Sequence, residues 1–386
     1  MRYFLLAGEA SGDNLGALLA TGIRERDPDA EFAFWGGEAL AAATGLPPKR
    51  HLRELAFMGF VEVAANLRTI RGLERAARED VAAFAPDALV LVDYPGFNLR
   101  LGRWARRRGI RVEFYVSPQI WAWRRRRVHR VVRSFDRLLC ILPFEPGFYA
   151  SFGYDAAAGY DIRYTGHPLP RRVDGHEPPP RLIVSVAGGT REIGPGERVV
   201  ALLPGSRRQE VARMIPLMAA AVGELRARGV ACVPVVGAAP VLAEADLRQL
   251  GVDHNLGWTR ATYDLLAHAH VACVASGTAT LETALFGVPQ VVCYRGSTVS
   301  VAIARRLVDV EHIALANVIL GREVIPELIQ GEATPQEVAR VLGSLWDGPR
   351  REAQRAGYHE LRERLLPYAA AESAAAAIVD AARSAR

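Results

Sequence analysis

Short, continuous runs of apolar residues alternate with longer segments of helical character along most of the chain. Runs that are apolar at every position predict strands buried on both faces, and the helical segments between them predict parallel βαβ units. A helix over about residues 14–26 is expected after the first run. The predicted strands cover residues 3–7, 88–93, 111–116, 138–142, 199–203, 231–236, 271–275 and 290–294.

The composition changes where the first set of strands gives way to the second. Residues 171–180 read RRVDGHEPPP, and a second Pro/Gly-rich patch follows at 188–196. Such segments are typical of hinges and linkers. The predicted fold class is therefore α/β, with two doubly wound Rossmann-like domains, a cleft between them and a C-terminal helical segment. The predicted parts are a domain over 1–172, a linker over 173–197, a domain over 198–350 and helices over 351–386.

Composition narrows the classes of function. Charged residues make up 23% and hydrophobic residues 50% of the 386 residues, which excludes a disordered or collagen-like chain. The net charge is +6, and it is carried almost entirely by arginine, because Lys49 is the sole lysine. This balance favours an anionic partner, and guanidinium groups suit phosphates.

Neither a metal site nor a membrane span is predicted. The cysteines at 140, 232, 273 and 293 lie in or beside apolar runs without CxxC spacing, so we expect buried thiols in a reducing compartment. The N-terminal apolar run is too short for a signal peptide, and no run of 18 apolar residues occurs. We expect a cytoplasmic protein that could still contact a membrane surface.

The segment ALLPGSRRQEV (201–211) is a candidate phosphate site. Gly205, Ser206 and Arg207 lie between a predicted strand and a predicted helix. Backbone N–H groups at such a turn, together with the helix N-terminus, bind anions. A plain strand-to-helix turn with a solvated arginine explains this segment equally well.

The segment VACVASGTATLETALFGVPQVV (271–292) is a stronger candidate. Ser276, Gly277 and Thr278 are small residues between a strand and a helix, so a diphosphate can approach the backbone there. Glu282 lies about one and a half helical turns further on, where a carboxylate would accept hydrogen bonds from a ribose. The alternative for Glu282 is an exposed glutamate on an amphipathic helix.

Asp93 ends a predicted buried strand in LVLVDYPGFNLRLGR (89–103). A carboxylate at the carboxyl end of a parallel strand points toward the binding edge of an open α/β sheet. Desolvation there would raise its pKa toward that of a useful general base. The alternative is a turn or helix-capping carboxylate, because Pro95 and Gly96 follow.

Two basic segments leave several interpretations open. Residues 56–80 have apolar positions at helical spacing beside arginines, which suits a core-facing helix or an interfacial helix. Residues 115–133, YVSPQIWAWRRRRVHRVVR, join two tryptophans to an arginine run. Nucleic-acid binding, a membrane surface and a solvated helix face all explain that pattern.

The motifs taken together are more specific than any one of them. The chain resembles the lipid-A-disaccharide synthase family over about residues 3–330, through motifs that occur in the following order: AGEASGD, MGFVEV, DYPGFN, YVSPQIWAWR, LPFEPGFY, YTGHPL, LLPGSR, ASGTATLE and ANVILG. The resemblance implies an inverting GT-B glycosyltransferase that moves 2,3-diacylglucosamine from UDP to 2,3-diacylglucosamine 1-phosphate, forming a β-1′,6 bond and releasing UDP. It implies no cofactor, no metal ion and no nucleic-acid partner. It also implies a homodimer with exchanged C-terminal segments, peripheral on the cytoplasmic face of the inner membrane.

The resemblance also implies roles for individual residues. Asp93 would be the base on the acceptor 6-hydroxyl, and Asn317, preceded here by Ala316 where many relatives have proline, is needed near the donor. The UDP-binding residues would be Gly205, Ser206, Arg207, Ser276, Gly277, Thr278 and Glu282. The acceptor-side residues would be Glu9, Ser11 and Asp13. The membrane-docking residues would be Phe57, Phe60, Val61, Ala64, Leu67, Ile70 and Leu73.

Two other functions are weighed against this one. A different GT-B enzyme, either another UDP-sugar glycosyltransferase or a UDP-sugar epimerase, would keep the donor motifs but would not need the amphipathic segment. A remote alternative is an arginine-rich nucleic-acid-binding protein, which would not need Asp93 at a strand end.

Overall fold

The computed structural model describes residues 1–55, 67–123, 125–186, 188–239, 243–249, 252, 256–296, 311–366 and 370–384. The chain divides into two compact units. The first unit comprises Met1–Pro168 together with Leu365–Arg386, and the second comprises Leu169–Arg364.

The first unit is built on a parallel sheet. Its strands are β1 (Arg2–Ala7), β2 (Glu31–Gly36), β3 (Arg50–His51), β4 (Ala88–Val92), β5 (Arg111–Tyr115), β6 (Arg137–Cys140) and β7 (Asp161–Tyr164). They lie in the order β3-β2-β1-β4-β5-β6-β7, and each neighbouring pair is parallel. The helices are α1 (Ala10–Arg26), α2 (Glu38–Thr44), α3 (Leu67–Phe84), α4 (Pro95–Arg106), α5 (Val128–Val131) and α6 (Glu145–Ala150). β1 and β4 are central and almost wholly buried, as their continuous apolar sequences predict.

The second unit repeats this plan with an added hairpin. Its strands are β8 (Ile183–Val186), β9 (Gly189–Glu192), β10 (Val199–Leu203), β11 (Val233–Gly237), β12 (Gly257–Thr259), β13 (Ala269–Ala275), β14 (Gln290–Tyr294) and β15 (Glu327–Ile329). The sheet order is β15-β14-β13-β10-β11-β12-β8-β9. The helices are α7 (Leu169–Asp174), α8 (Arg208–Ala227), α9 (Glu244–Gln249), α10 (Thr262–His268), α11 (Thr278–Leu285), α12 (Leu315–Leu320) and α13 (Pro335–Ser344).

The segment predicted as a linker, 173–197, is more ordered than its composition indicates. β8 and β9 form an antiparallel hairpin, and β8 pairs with β12 through Trp258 and Ser185. Val184 is buried in the core of the second unit, with Leu182 beside it. The apolar run between the two Pro/Gly-rich patches therefore adds an edge to the second sheet.

Two helices follow, α14 (Pro349–Leu365) and α15 (Ala370–Ser384). α15 packs on α1 of the same chain, and it buries Ala374, Ala375, Ile378, Val379 and Ala382 in the core of the first unit. The Arg137 guanidinium donates a hydrogen bond to the carbonyl of Ala377 in this helix. Arg383 donates to the carbonyl of Arg26 at 2.8 Å.

The predicted membrane-docking residues are only partly described. Phe57, Phe60, Val61 and Ala64 lie outside the described residues, and Leu67 begins α3. Ile70 is buried, which fits the core-facing interpretation of its part of the helix, and Leu73 is half-buried. No helix among the described residues is long and apolar enough to cross a bilayer.

All four cysteines are buried free thiols, as their apolar surroundings predict. In the described part of the chain, no three His, Cys, Asp or Glu side chains converge as metal ligands.

Candidate active site residues and family

Each sheet contains the kind of crevice in which α/β proteins bind ligands. In the first unit β1 leads through α1 toward β2 on one side, whereas β4 leads through α4 toward β5 on the other. In the second unit β10 and β13 diverge in the same way. Ligands bind outside the carboxyl ends of such diverging strands. Asp93 follows β4, whereas Gly205 follows β10 and Ser276 follows β13.

The backbone at Asp93 is held in an uncommon conformation. Asp93 and Tyr94 have φ of 49° and 50°, in the left-handed region that non-glycine residues seldom adopt. The Asn98 side-chain amide donates to the carbonyls of Asp93 at 2.7 Å and Val92 at 3.3 Å. The Asp93 amide donates to the carbonyl of Tyr115 at 2.8 Å. Strain of this kind costs about 1–3 kcal/mol per residue and is concentrated at functional sites.

The environment of the Asp93 carboxyl favours its protonated form. Burial raises the pKa of Asp93 to about 6, and the negative charge of Glu9 adds to the increase. Both causes disfavour the ionised carboxylate. A carboxyl that titrates near neutral pH is suited to take a proton from an alcohol and to release it again.

Glu9 and Ser11 are exposed beside the end of β1, whereas Asp13 is buried. The Asp13 carboxylate accepts hydrogen bonds from the backbone N–H groups of Gly37 at 2.6 Å and Ala39 at 2.9 Å. It therefore caps the N-terminus of α2. These hydrogen bonds give Asp13 a structural role, and its predicted contact with the acceptor stays a prediction.

Gly8 is required by the packing of the first crevice. The aromatic ring of Tyr94 lies against its Cα, so that a Cβ added at Gly8 would lie 2.3 Å from Tyr94 Cδ1. The Tyr94 hydroxyl donates to the carbonyl of Leu55 at 3.3 Å. The glycine of AGEASGD thus serves a close approach to the residue after Asp93.

The Pro204–Gly205 turn also has a tight fit. Gly205 has φ of 100°, and a Cβ there would lie 2.3 Å from an oxygen of Glu210 in the first turn of α8. Ser206 and Arg207 are exposed, and α8 begins one residue later. The exposed hydroxyl, the guanidinium group and the helix N-terminus are available to an anion. Glu210 was not anticipated from the sequence.

The turn after β13 is open on the side that a ligand would approach. Gly277 has φ of 152°, and no heavy atom lies within 4 Å of the position of an added Cβ. Gly277 and Thr278 are exposed at the start of α11, and Ser276 is half-buried. Replacing the glycine would both strain the backbone and fill this space.

Glu282 is half-buried and already held in position. The Tyr263 hydroxyl donates to Glu282 Oε1 at 2.9 Å. The guanidinium of Arg172 lies over the Tyr263 ring, 5.1 Å from its centroid. Burial and the Glu282 charge raise the pKa of Tyr263 above its ordinary value, so its hydroxyl remains a donor. The carboxylate is thereby oriented while one oxygen remains for a ligand.

Asn317 is fully buried, and its side-chain amide makes four hydrogen bonds. Its Nδ2 donates to the carbonyl of Ile325 and to Glu327 Oε1, both at 2.8 Å. Its Oδ1 accepts from the N–H groups of Val324 at 2.8 Å and Ile325 at 2.9 Å. These contacts use the whole hydrogen-bonding capacity of the amide, so the geometry supports a positioning residue.

The Asn317 network extends to Ser276 in the turn after β13. Glu327 accepts from the N–H groups of Ile313 at 2.8 Å and Ala314 at 3.0 Å. Ser276 Oγ donates to the carbonyl of Ile313 at 3.4 Å. The structure thus joins two separately predicted residues, Ser276 and Asn317, through a backbone segment held by Glu327.

Glu145 is a buried carboxyl that sequence reasoning missed. It lies at the start of α6, and its oxygens accept from the Leu142 N–H at 3.1 Å and from Trp121 Nε1 at 3.2 Å. Burial raises the pKa of Glu145 to about 8. Ser117 also hydrogen-bonds to Glu145, and the preceding Val116 has φ of 73°, a strained conformation for a β-branched residue. The available signal was a glutamate between two prolines, shortly after an apolar strand.

The carboxyl of Glu145 should make stability depend on pH. The pKa of Glu145 is higher in the folded than in the unfolded chain, so the folded chain holds this proton more tightly. The free energy of unfolding therefore falls as pH rises from about 4.5 toward 8. We expect Glu145→Gln to be less stable at pH 5 by about 1–3 kcal/mol, since both oxygens of Glu145 accept hydrogen bonds and the amide nitrogen that replaces one of them cannot accept any. The difference should shrink toward pH 8. Urea denaturation at both pH values measures it.

The exposed Glu25 of α1 supplies the matched control for Glu145. Glu25→Gln removes the same formal charge without changing a buried group. Equal pH slopes for Glu145→Gln and the unsubstituted chain would contradict the assignment of this pH dependence to Glu145.

Comparison with known proteins gives the family. The model of the lipid-A-disaccharide synthetase family matches residues 3–379. The chain belongs to this family. A lipid-A-disaccharide synthase of Geobacter sulfurreducens is 37% identical over 94% of this chain and 93% of its own length. One from Myxococcus xanthus is 38% identical over 98% of this chain and 97% of its own length.

Solved structures place the chain in the GT-B fold. The glycosyltransferase of kitacinnamycin aligns with a TM-score of 0.63 at 16% identity, covering 98% of both chains. CalG4, the calicheamicin glycosyltransferase, aligns at 0.59 with 16% identity, covering 100% of this chain and 98% of its own. The UDP-GlcNAc 2-epimerase of Neisseria meningitidis, bound to UDP-GlcNAc, aligns at 0.59 with 11% identity over the whole of both chains. At these identities the likeness concerns the fold alone, and it confirms the GT-B fold that the resemblance implied.

Proposed function

We propose that this chain forms the lipid A disaccharide by moving 2,3-diacylglucosamine from UDP to 2,3-diacylglucosamine 1-phosphate. The relatives named lipid-A-disaccharide synthase support this, since they match nearly the whole chain. The observation that carries the chemistry is the Asp93 carboxyl, with a pKa of about 6 at the crevice of the first sheet.

In this proposal the first unit binds the acceptor. Asp93 takes the proton of the acceptor 6-hydroxyl as the oxygen attacks the anomeric carbon of the donor sugar. The bond from that carbon to the UDP oxygen breaks, and UDP leaves with the bonding electron pair. Attack from the face opposite the leaving group inverts the configuration, which accounts for a β-linked product. A positioned base typically contributes about 10²–10⁴-fold to such a step.

The second unit binds the donor in the same proposal. The turns at Gly205–Arg207 and Ser276–Thr278 hold the diphosphate, and Glu282 accepts a hydrogen bond from the ribose. Arg207 and the helix N-termini stabilise the charge that develops on the departing diphosphate. Asn317 holds the backbone beside Ser276 through Glu327.

The proposal also includes the cellular setting. Both substrates carry acyl chains, so the enzyme has to work at a membrane, and we place it on the cytoplasmic face of the inner membrane as a peripheral homodimer. Residues 57–73 are the proposed docking segment. Co-sedimentation with vesicles and the mass in solution test these two points separately.

The decisive experiment measures UDP release from UDP-2,3-diacylglucosamine with and without 2,3-diacylglucosamine 1-phosphate. Acceptor-dependent release, with a disaccharide product in the mass spectrum, is expected. Release without acceptor would instead indicate a hydrolase or an epimerase-like enzyme. UDP binding without release from this donor would mean that the donor sugar is wrong.

Tyr263→Phe should weaken donor binding without abolishing turnover. Loss of the 2.9 Å hydrogen bond leaves Glu282 free to rotate, and one hydrogen bond to a charged group is worth about 1.5–3 kcal/mol. Only part of this free energy affects donor binding, so we expect KM for the UDP-sugar to rise by about 3–10-fold. Tyr160→Phe in the first unit is the matched control. A KM unchanged by Tyr263→Phe would contradict the orienting role.

A further inference from the structure

An arginine-lined cavity lies between α3 and α4, outside the site proposed above. Its volume is about 570 Å³. It is lined by Arg78, Arg100, Arg103, Trp104, Arg107 and Arg108. Five guanidinium groups and one indole therefore face the same space. We call this set the arginine cavity.

The positive charge of the arginine cavity is only partly compensated. Glu74 pairs with Arg100 and lies 3.7 Å from the terminal nitrogen of Arg78. Among the described residues no carboxylate pairs with Arg103, Arg107 or Arg108, and Arg78 Nε is buried without a hydrogen-bond acceptor. Like charges brought together in this way repel one another unless an anion enters.

The ordinary structural explanation covers only part of the arginine cavity. Cations at a helix C-terminus interact favourably with the helix dipole, which accounts for Arg107 and Arg108 after α4. Arg78 comes from a different helix, and Arg100 lies in the middle of α4. Their convergence on one space is not explained by the dipole.

The arginine cavity begins near Asp93 and extends away from it, because the charge of Arg100 acts on Tyr94, whereas Arg107 and Arg108 follow the C-terminus of α4. α4 begins at Pro95, directly after Asp93 and Tyr94, and runs away from the carboxyl edge of the sheet. From Pro95 to Arg107 the helix advances about 18 Å, at 1.5 Å per residue. An acceptor phosphate held near Asp93 therefore does not reach the end of the cavity formed by Arg107 and Arg108.

We propose that the arginine cavity is a second site, which binds the phosphate ester of a ligand other than the reacting sugars. Guanidinium groups bind phosphate oxygens in pairs, with charge-assisted hydrogen bonds. The volume falls in the range of small-molecule sites, so the site accommodates a phosphate together with the group esterified to it. Trp104, with the Arg108 guanidinium 5.0 Å from its ring centroid, gives the cavity an apolar wall beside the charge.

A phosphate ester of this kind can come from a lipid headgroup or from a soluble metabolite. Phosphatidylglycerol vesicles present a glycerol phosphodiester at a membrane surface, and free glycerol 3-phosphate presents a glycerol phosphomonoester in solution, so the two probes distinguish these sources. Neutral phosphatidylcholine vesicles supply the background for the first arm. Calorimetric titration of the full chain measures the binding of glycerol 3-phosphate.

The test variant is Arg103→Gln/Arg107→Gln/Arg108→Gln. The matched control is Arg181→Gln/Arg191→Gln/Arg340→Gln, which removes the same charge from exposed arginines of the second unit. Thermal unfolding of both variants checks that they fold. We expect the cavity variant to lose at least 10-fold in affinity for phosphatidylglycerol vesicles, glycerol 3-phosphate or both, and the control to change by less than 3-fold.

The pattern of loss identifies the source. A loss on vesicles together with competition by glycerol 3-phosphate assigns the site to a lipid headgroup. A loss confined to glycerol 3-phosphate assigns it to a soluble ester. An equal loss in both triple variants would show a general charge effect and would overturn the proposal. Absence of binding by the unsubstituted chain to both probes would overturn it as well.

Discussion

Asp93→Asn should lower kcat for disaccharide formation by about 10²–10⁴-fold, because an amide cannot take the proton of the acceptor hydroxyl. The affinity for the UDP-sugar should remain, since the donor residues lie in the other unit. The backbone should tolerate the change, because asparagine adopts the left-handed conformation observed here at least as readily as aspartate. Asn98 contacts the carbonyl of residue 93, not its side chain.

The stability of this variant separates a catalytic loss from a folding defect. The raised pKa of Asp93 means that its ionised form opposes folding above about pH 4, and fully so above pH 6. Removing the charge should therefore leave the chain as stable at pH 7, or more stable. Thermal unfolding and steady-state turnover are measured on the same preparation. Full turnover in Asp93→Asn would contradict the role of general base.

The pH profile adds a second readout. A base is active when deprotonated, so kcat/KM should rise tenfold per unit below pH 6 and level off above it. Glu9→Gln removes a like charge that raises the Asp93 pKa, so the rising limb should move to lower pH. Glu25→Gln, near the other end of α1, is the control and should leave the limb unchanged. A rising limb of the pH profile that is unchanged in Glu9→Gln would contradict the electrostatic coupling of Glu9 and Asp93.

Asn317→Ala should destabilise the second unit by about 3 kcal/mol or more. The substitution removes four hydrogen bonds of about 0.5–1.5 kcal/mol each, and it leaves the buried Ile325 N–H without its acceptor. Urea denaturation measures the total loss of stability. Hydrogen exchange locates the loss in the structure, because the amides of Val324 and Ile325 should lose protection.

The same variant distinguishes a positioning residue from a catalytic one. If Asn317 acts by holding the backbone beside Ser276, then stability, amide protection and donor affinity should fall together. Asn14→Ala, on the exposed face of α1, should change none of them. A large loss of kcat with unchanged stability and exchange would instead assign the amide to the substrate.

The central strands were predictable because their signal is local. Residues 199–203 are apolar at every position and residues 290–294 at every position after Gln290, and these predicted bounds coincide with β10 and β14. β3 and β12 are short strands whose pairing depends on neighbours far along the chain, and their sequences carry little signal. β2 was missed although residues 32–35 are apolar and follow the same rule.

The site residues also differ in whether a local sequence signal predicts them. The position of Asp93 at a strand end follows from the apolar run before it. The role of Asp13 does not, because its partners lie 24 or more residues further on, in a helix that the sequence did not predict. Asn317 likewise depends on Glu327, ten residues away, whose carboxylate meets it only in the folded unit. Hydrogen-bond networks between distant segments are tertiary contacts, and local sequence patterns do not predict them.

The packing of α15 on α1 constrains how the protein can be made. Residues 370–384 complete the core of the first unit, yet the ribosome synthesises residues 169–364 before them. At a synthesis rate of 5–20 residues per second, one apolar face of α1 stays exposed for about 10–40 s. A gene cut after residue 168 would leave that face bare permanently, so the isolated first unit should aggregate unless 370–384 is supplied as a separate peptide.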